Sequence, residues 1–353
     1  MSKTIEELIQ IDQQRRSALN FAMKFGVASV ATGLGMQDGL SQTQSPAQSV
    51  TALPPNWPNK PIKLIVPFPP GNTLDIVARF VQTKMSQELG QSVYIENIGG
   101  AYAQIGMAAI ARANPDGYTF GASQGGPMVV QPHTIKNLPY DVLRDFIPVA
   151  VSAWNYNALA GSLTAPFKTL AEMVTWARAN PGKLTVGTTG EGGFAHLWFE
   201  DFRRQAKFEY THVPYKGTAN IASDLVSGAI MAGADGISGF AGLAKGEKIR
   251  IVAITNATKV EQWPNVSLLG DVVPGFAVNG WFGFVAPAKT PMPIVQRLNQ
   301  AINAAMKSPE VQEKLPSYGL MSVTESPEYF DQLNRKDYER YGAIVKAIGL
   351  EAK

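Results

Sequence analysis

From Pro61 onward the chain alternates between short β-rich runs and segments of helical periodicity, and the alternation runs through twice. No other feature limits the fold as strongly. Strands separated by helices pair side by side in parallel and need apolar cover on both faces of their sheet. In the first series Lys63–Phe68 is a predicted strand, closed by Pro69-Pro70-Gly71. Leu74, Val77, Ala78, Val81, Met85 and Leu89 then fall at helical spacing, with Gly90 as the stop. Ser92–Asn97, Tyr118–Ser123 and Phe146–Val151 read as further strands around a short helix at Gly106–Ala113. The second series places helices at Leu170–Arg178, Ala195–Gln205 and Ala219–Val226 among strands at Leu184–Thr188, Thr211–Tyr215, Ile230–Asp235 and Ile249–Thr255. Trp281–Ala286 is one more strand, followed by helical segments at Ile294–Lys307 and Ser326–Ile348. Two α/β domains follow, and 45% apolar against 17% charged residues gives them ample core material. Glycine (33) and proline (24) supply the many tight turns such an alternation needs.

Residues 1–52 follow a different grammar. Arg15-Arg16 precede a modest apolar run, Phe21–Met36, with Lys24 inside it; a polar Ser/Gln-rich stretch and small residues follow. Charged, apolar, small is the order of an export signal, and the paired arginines match its twin-arginine variant. Cleavage is expected after Ala47 or Ala52, leaving a soluble periplasmic chain. Its charge stays at +3, because Lys3, Arg15, Arg16 and Lys24 are balanced by Glu6, Glu7, Asp12 and Asp38. No stretch approaches the roughly 18 apolar residues of a membrane span.

In open α/β sheets, ligands sit beyond the carboxyl ends of strands, where helix N-termini point into a crevice. Three turns have that position. In the first, Pro69 to Asp75, Gly71 allows close backbone approach, Asn72 or Thr73 caps the helix, and Asp75 is placed as the reciprocal capping partner of Asn72. In the second, Thr188 and Thr189 lead into a glycine-rich stretch ending at His196, a packed or capping histidine by its place in the first helical turn. In the third, Tyr215, Lys216, Gly217, Thr218 and Ala219 open another helix. Free N–H groups at such helix starts suit an organic anion.

Other chemistries fit less well. The chain has no cysteine, which excludes disulfides, thiolate catalysis and cysteine-bound metal. Its three histidines, His133, His196 and His212, show no metal-ligand spacing, and neither a P-loop nor a dinucleotide fingerprint occurs, so no metal and no cofactor are expected. The mildly basic pI of about 8.9 comes without clustered cations, so no nucleic-acid partner is expected. Gly121-Ala122-Ser123-Gln124-Gly125 matches the hydrolase pattern G-x-S-x-G, but Gly126-Pro127 interrupts where a helix should follow. A serine hydrolase using Ser123 is a minor alternative.

The chain resembles the Bug-type tripartite tricarboxylate transporter receptors, a family of periplasmic solute-binding proteins. The resemblance rests on Pro61-Ile62, Val66-Pro67-Phe68, Gly71, Asp75 and Ala78-Arg79. It continues in Leu89-Gly90-Gln91, Pro115-Asp116-Gly117-Tyr118-Thr119, Leu138-Pro139-Tyr140-Asp141, Ala179-Asn180-Pro181-Gly182-Lys183-Leu184 and His212-Val213-Pro214-Tyr215-Lys216-Gly217. It extends over nearly all of residues 57–320. The resemblance implies a two-lobed clamshell, each lobe a mainly parallel sheet flanked by helices, with two interlobe crossings. Lobe 1 is expected at residues 53–157 plus 283–353 and lobe 2 at 158–282. It further implies binding without catalysis: a small carboxylate held in the cleft by amides, hydroxyls and water, then delivered to membrane transporter subunits. A sensory protein feeding a signalling partner needs the same clamshell and is the other reading.

The ligand-binding positions so implied are the three turns above and, at the end of a second-lobe strand, Asp235. The chain departs from the family where Asn72 replaces a second glycine and where Gly193 replaces a serine. It departs again where Gly99-Gly100-Ala101-Tyr102-Ala103 replaces a turn of the Pro-Gly-Ala-Gly-Gly kind. Ala101 and Tyr102 are therefore added to the candidate site, with Tyr102 either stacking on a planar ligand or filling volume at the hinge-side rim.

Overall fold

The computed structural model describes residues 52–352, so all but the last residue of the proposed export segment lies outside the described residues. In chain order the elements are β1 (Ile62–Val66), α1 (Thr73–Leu89), β2 (Val93–Asn97), α2 (Gln104–Ala111) and β3 (Thr119–Gln124). A π-helical turn, Gly126–Val130, runs into α3 (Gln131–Thr134). There follow β4 (Phe146–Asn155), β5 (Asn157–Ser162), α4 (Leu170–Ala179), β6 (Thr185–Thr189), α5 (Phe194–Ala206), β7 (Thr211–Tyr215), α6 (Thr218–Ser227) and β8 (Ala232–Gly236). The chain continues through α7 (Ser238–Lys245), β9 (Ile249–Ile254), β10 (Ser267–Leu268), β11 (Gly280–Pro287), α8 (Met292–Met306), α9 (Pro309–Lys314), β12 (Leu320–Ser322) and α10 (Pro327–Ala347).

Two six-stranded sheets result, ordered β12-β4-β11-β3-β1-β2 and β10-β9-β5-β8-β6-β7. The parallel pairing expected from strand–helix alternation holds within β3-β1-β2 and β8-β6-β7. Both sheets are nevertheless mixed. β11 runs antiparallel between β3 and β4, and β5 runs antiparallel between β8 and β9. The reason is connectivity: β4 leads directly into β5 across the gap between sheets, and β11 brings the chain back. These strands have no crossover helix to force a parallel partner.

Each sheet is covered on both faces, which explains why strands such as β11 are buried along their whole length. On one face of the first sheet lie α1 and α8, with Val77, Val81, Leu298 and Ile302 in the core; on the other lie α2, the π-turn and α10, with Met107, Val129 and Tyr341. The second sheet has α4 and α5 on one face and α6 and α7 on the other, around Trp198 and Phe202 or Ile221 and Phe240. Local signals set the helix limits. Asn72 caps α1 by accepting from the Leu74 N–H at 2.9 Å, and Gly90 ends it in the left-handed conformation (φ 66°). Thr169 and Glu172 form a reciprocal capping box on α4.

Helix α10 spans both sheets' territory. Its Arg340 donates from Nε and Nη2 to Asp201 Oδ2 of α5, at 3.2 and 2.8 Å, and from Nη1 to the Ala277 carbonyl at 3.0 Å. Tyr341 of the same helix packs on Phe194 with ring centroids 5.2 Å apart.

A close backbone approach near the cleft is at Gly106 in α2. A Cβ there would lie 2.5 Å from the Ile98 carbonyl oxygen and 2.6 Å from Pro67 Cα. Neither is a flexible side-chain tip, so Gly106→Ala forces α2 off the β1 end. We expect a loss of about 1–3 kcal/mol and a lower melting temperature, read by thermal denaturation.

Candidate functional site

At the carboxyl end of β1 the polar groups of the turn are largely committed to each other. Gly71 (φ 84°) donates its N–H to Asp75 Oδ2 at 2.9 Å. Asp75 is 1% exposed, and it also accepts from Asn97 Nδ2 at 2.9 Å and Arg79 Nε at 2.8 Å. Burial works to raise its pKa, yet the Arg79, Asn97 and Gly71 bonds outweigh it and hold the carboxyl below its usual range. The expected reciprocal cap is therefore shifted by one residue. Asp75 takes the Gly71 N–H, while the Asn72 N–H bonds to the Pro69 carbonyl at 3.3 Å. Pro69, Gly71 and Asn72 are exposed and Thr73 is half-buried.

The next turn, Gly99 to Ala103, is strained. Ala101, Tyr102 and Ala103 all have left-handed φ (45°, 53° and 78°) after Gly100 at 124°. A left-handed residue with a Cβ costs roughly 1–2 kcal/mol. The positions that resembled a glycine-rich turn thus keep a glycine-type backbone although three of them carry side chains. Gln131 Nε2 holds the turn by donating to the Tyr102 carbonyl at 2.6 Å. Tyr102 itself is 62% exposed.

The glycine-rich turn after β6 rests on two histidines. Thr188, fully buried, has its Oγ1 2.7 Å from His212 Nε2. The Gly192 N–H donates to His196 Nδ1 at 3.0 Å, so His196 does cap this turn. The two imidazoles stack with centroids 3.9 Å apart and planes at 5°. Burial lowers both pKa values; for His196 the neighbouring His212 adds to the effect, and the value falls to about 4.

At the third turn Tyr215 donates its hydroxyl to Asp224 at 2.6 Å, Lys216 is exposed, and Gly217 is extended before α6. Thr218 Oγ1 donates to Asp235 Oδ2 at 2.5 Å. Ala219, next to Thr218 at the start of α6, is exposed on a groove between α6 and α7.

A cavity of about 140 Å³ lies where the chain crosses between the sheets. That is close to the volume of an engineered cavity known to accept benzene. Tyr102, Gln124, Gly125 and Gly126 line it from the first sheet's side, and Thr189, Phe194, Ala195 and Asp235 from the second's. Asn155, Asn157, Gly280, Trp281 and Phe282 form the wall at the crossings. Of the sequence-based candidates it brings together Tyr102, Thr189 and Asp235. Burial raises the Asp235 pKa, opposed by donors on Thr218, Gly236 and Thr189.

The most informative lining residue, Asn157, was absent from the candidates. It is 2% exposed, and its Nδ2 has no hydrogen-bond partner. A buried, unmatched amide donor costs about 1–3 kcal/mol unless something supplies an acceptor. The signal was present in the sequence: two asparagines, Asn155 and Asn157, interrupt an apolar run at the crossing. No lysine, arginine or histidine lines the cavity among the described residues.

Ser123 lies inside β3, opposite Gly283 of β11, with its Oγ buried and unpartnered. Contrary to expectation a helical segment does follow the G-x-S-x-G pattern, because Pro127 is tolerated in the first turn of the π-helical segment. The histidines a triad would need are engaged elsewhere: His196 with Gly192, His212 with Thr188 and His133 Nε2 2.9 Å from the Tyr338 carbonyl oxygen.

Two mixed α/β sheets joined by crossing strands, with a small polar and aromatic cavity at the crossing, define a solute-binding receptor of the periplasmic binding protein class. The chain belongs to the tripartite tricarboxylate transporter family receptors, whose family model matches residues 77–350. It is 32% identical over 329 residues to the UPF0065 protein of the tcbD-tcbE intergenic region of Pseudomonas sp. strain P51, covering 93% of this chain and 96% of that one. Rpa4515 of R. palustris, solved with adipate, is 30% identical, with 84% of this chain and all of that one covered at a TM-score of 0.72. MatC (Rpa3494) of Rhodopseudomonas palustris, solved with malate, is 28% identical, with 82% and 100% covered at a TM-score of 0.68. The family is one of receptors, not enzymes, and the hydrolase alternative falls with that membership.

The stacked histidines make a pH prediction. An unfolded histidine titrates near 6.5, and His196 in the fold at about 4. Between these values the unfolded chain binds more protons, so this contribution to stability is complete above pH 6.5 and is lost as pH falls towards 4. Urea midpoints measured at pH 7, 5.5 and 4.5 should fall in that order. They should fall less steeply in His196→Asn.

Proposed function

We propose that this protein is an exported periplasmic receptor that captures a small organic carboxylate in the cavity at the strand crossing and presents it to a membrane transporter. The single observation that carries the reading is the cavity at the crossing, lined by the polar side chains of Gln124, Asn155, Asn157 and Thr189 beside the aromatic rings of Tyr102, Phe194 and Trp281. Amides, hydroxyls and backbone dipoles suffice to hold an anion without a lysine or arginine. The adipate and malate recorded in the related receptors favour the same ligand class.

In this reading Tyr102, Thr189, Asp235 and Asn157 contact the ligand directly. Pro69, Gly71, Asn72, Thr73 and Ala101 form the facing rim on the first lobe. Thr188, Tyr215, Lys216, Gly217 and Thr218 position the second-lobe rim and approach the ligand as the lobes close. Asp75 acts through the turn that it ties together, and Ala219 is left outside the contact set. The export signal in residues 1–52 takes the chain to the periplasm. The lobes divide at the two crossings, as residues 53–157 plus 283–353 and residues 158–282.

Thermal unfolding against a panel of aliphatic and aromatic carboxylates tests the reading. A true ligand at 100 times its Kd adds about 2.7 kcal/mol of stability and is recovered unchanged. No shift with any acid contradicts it. By calorimetric titration, Asn157→Leu should weaken binding about tenfold or more, since a hydrogen bond to a charged group is worth about 1.5–3 kcal/mol. Tyr102→Gly should weaken a planar acid about two- to tenfold through lost stacking, worth about 0.5–1.5 kcal/mol.

A further inference from the structure

Tyr102 reaches the cavity from a turn that its own backbone disfavours. Ala101, Tyr102 and Ala103 are left-handed in succession (φ 45°, 53° and 78°), a conformation in which each Cβ crowds a carbonyl oxygen. Among the described residues a single side chain hydrogen-bonds the backbone of residues 99–103, that of Gln131. Gln131 is 3% exposed and stands behind the cavity wall, outside its lining. Its Nε2 donates to the Tyr102 carbonyl at 2.6 Å, and its Oε1 accepts from the Tyr140 hydroxyl at 3.0 Å. The Tyr102 carbonyl can only accept, so the amide faces it with nitrogen and turns its oxygen to Tyr140.

The backbone of Gln131 leads to the same place. Its N–H donates to the Gly126 carbonyl and closes the π-helical turn Gly126–Val130. The Tyr102 ring edge lies 3.8 Å from the position a Cβ on Gly126 would take, and Gly126 and Tyr102 both line the cavity. One buried residue therefore holds a lining glycine through its backbone and the turn that carries the exposed ring through its side chain. Tyr140 is itself fixed. It is buried, its ring packs edge-on against Phe146 with centroids 5.6 Å apart, and its hydroxyl is also 3.2 Å from the Pro127 carbonyl oxygen.

Resting on the receptor reading above, we infer that Gln131, backed by Tyr140, is a positioning residue of the binding site: it holds the left-handed turn, keeps the Tyr102 ring over the cavity, and so sets ligand affinity without touching the ligand. When the Nε2 donor is lost, no other side chain among the described residues bonds the backbone of this turn. The turn then relaxes towards the ordinary extended or right-handed region, and the ring leaves its place beside Gly126.

The test uses Gln131→Met, which keeps the side chain's length and removes its donor, Tyr140→Phe, which removes one buried oxygen, and Tyr102→Gly. Limited chymotrypsin digestion of the folded protein reads the turn without any ligand. Cleavage after Tyr102 should speed about tenfold in Gln131→Met and about threefold in Tyr140→Phe, because local opening governs cutting of a folded chain. Cleavage after Tyr94 and Tyr318, which are also exposed, should keep its wild-type rate. Unchanged cleavage after Tyr102, or equal acceleration at all three sites, overturns the inference. Calorimetric titration with benzoate, adipate and malate reads the site. For the acid that Tyr102→Gly weakens most, Gln131→Met should weaken binding about twofold or more, and should add almost nothing in the Tyr102→Gly background, since both act through one ring. An affinity unchanged in Gln131→Met, a loss that persists without the ring, or a Tyr102→Gly variant that binds every acid normally overturns the inference and leaves the carboxylate receptor standing. If the wild type binds none of the three acids, the receptor reading falls for these acids and takes the inference with it. Tyr140→Phe decides where Gln131→Met fails to fold.

Discussion

The passage of the chain from one sheet to the other is the constraint on which the remaining structure depends. At Tyr156, between β4 and β5, the backbone N–H donates to the Gly319 carbonyl at 3.2 Å and the carbonyl accepts from the Ile237 N–H at 2.8 Å. One residue thus ties the edge of the first sheet to the turn after β8 of the second sheet. Asn155 on one side pairs with Gly280 and Leu320, and Asn157 on the other pairs with Gly236. Because these strands cannot shift without breaking both sheets, the polar side chains beside them are held in place even when a partner is missing. Preorganisation of this kind lets neutral dipoles bind an anion well.

The same crossing accounts for what the sequence made legible. Strand–helix alternation showed β1 to β3 and β6 to β8 with their helices, because period-2 and period-3.6 patterns are local properties of a segment. The mixed character of the sheets was not local. It follows from β4 and β11 being placed by long-range pairing, and nothing in Phe146–Asn155 or Gly280–Pro287 specifies an antiparallel neighbour. β12, three residues long, is a strand only because β4 lies beside it. Helix α7, eight residues that begin just after a predicted strand, was missed for a similar reason: its sequence, Ser-Gly-Phe-Ala-Gly-Leu-Ala-Lys, is too glycine-rich to read as a helix without its packing on β8 and β9.

At the site, turn chemistry was visible but its direction was not. Gly71, Asn72 and Asp75 announced a capped turn, and one was found; which N–H the carboxylate took depended on Asn97 arriving from β2 and Arg79 from the next helical turn. Tyr102 read as an intrusion into a glycine-type turn, and its left-handed backbone shows the turn's shape preserved at the cost of strain. Asn157 was overlooked although it interrupts an apolar run, because sequence does not tell whether a buried asparagine finds its hydrogen-bond partners. Only the geometry reveals the unmatched donor.

The central claim is that an organic acid binds at the strand crossing, held by polar groups and not by a cation. A crystal structure of the protein grown with the carboxylate that most raises its melting temperature tests this directly. The account predicts the acid in the cavity between Tyr102 and Asp235, with a carboxylate oxygen within about 3 Å of a polar side-chain or backbone donor of its lining. An acid bound elsewhere contradicts it.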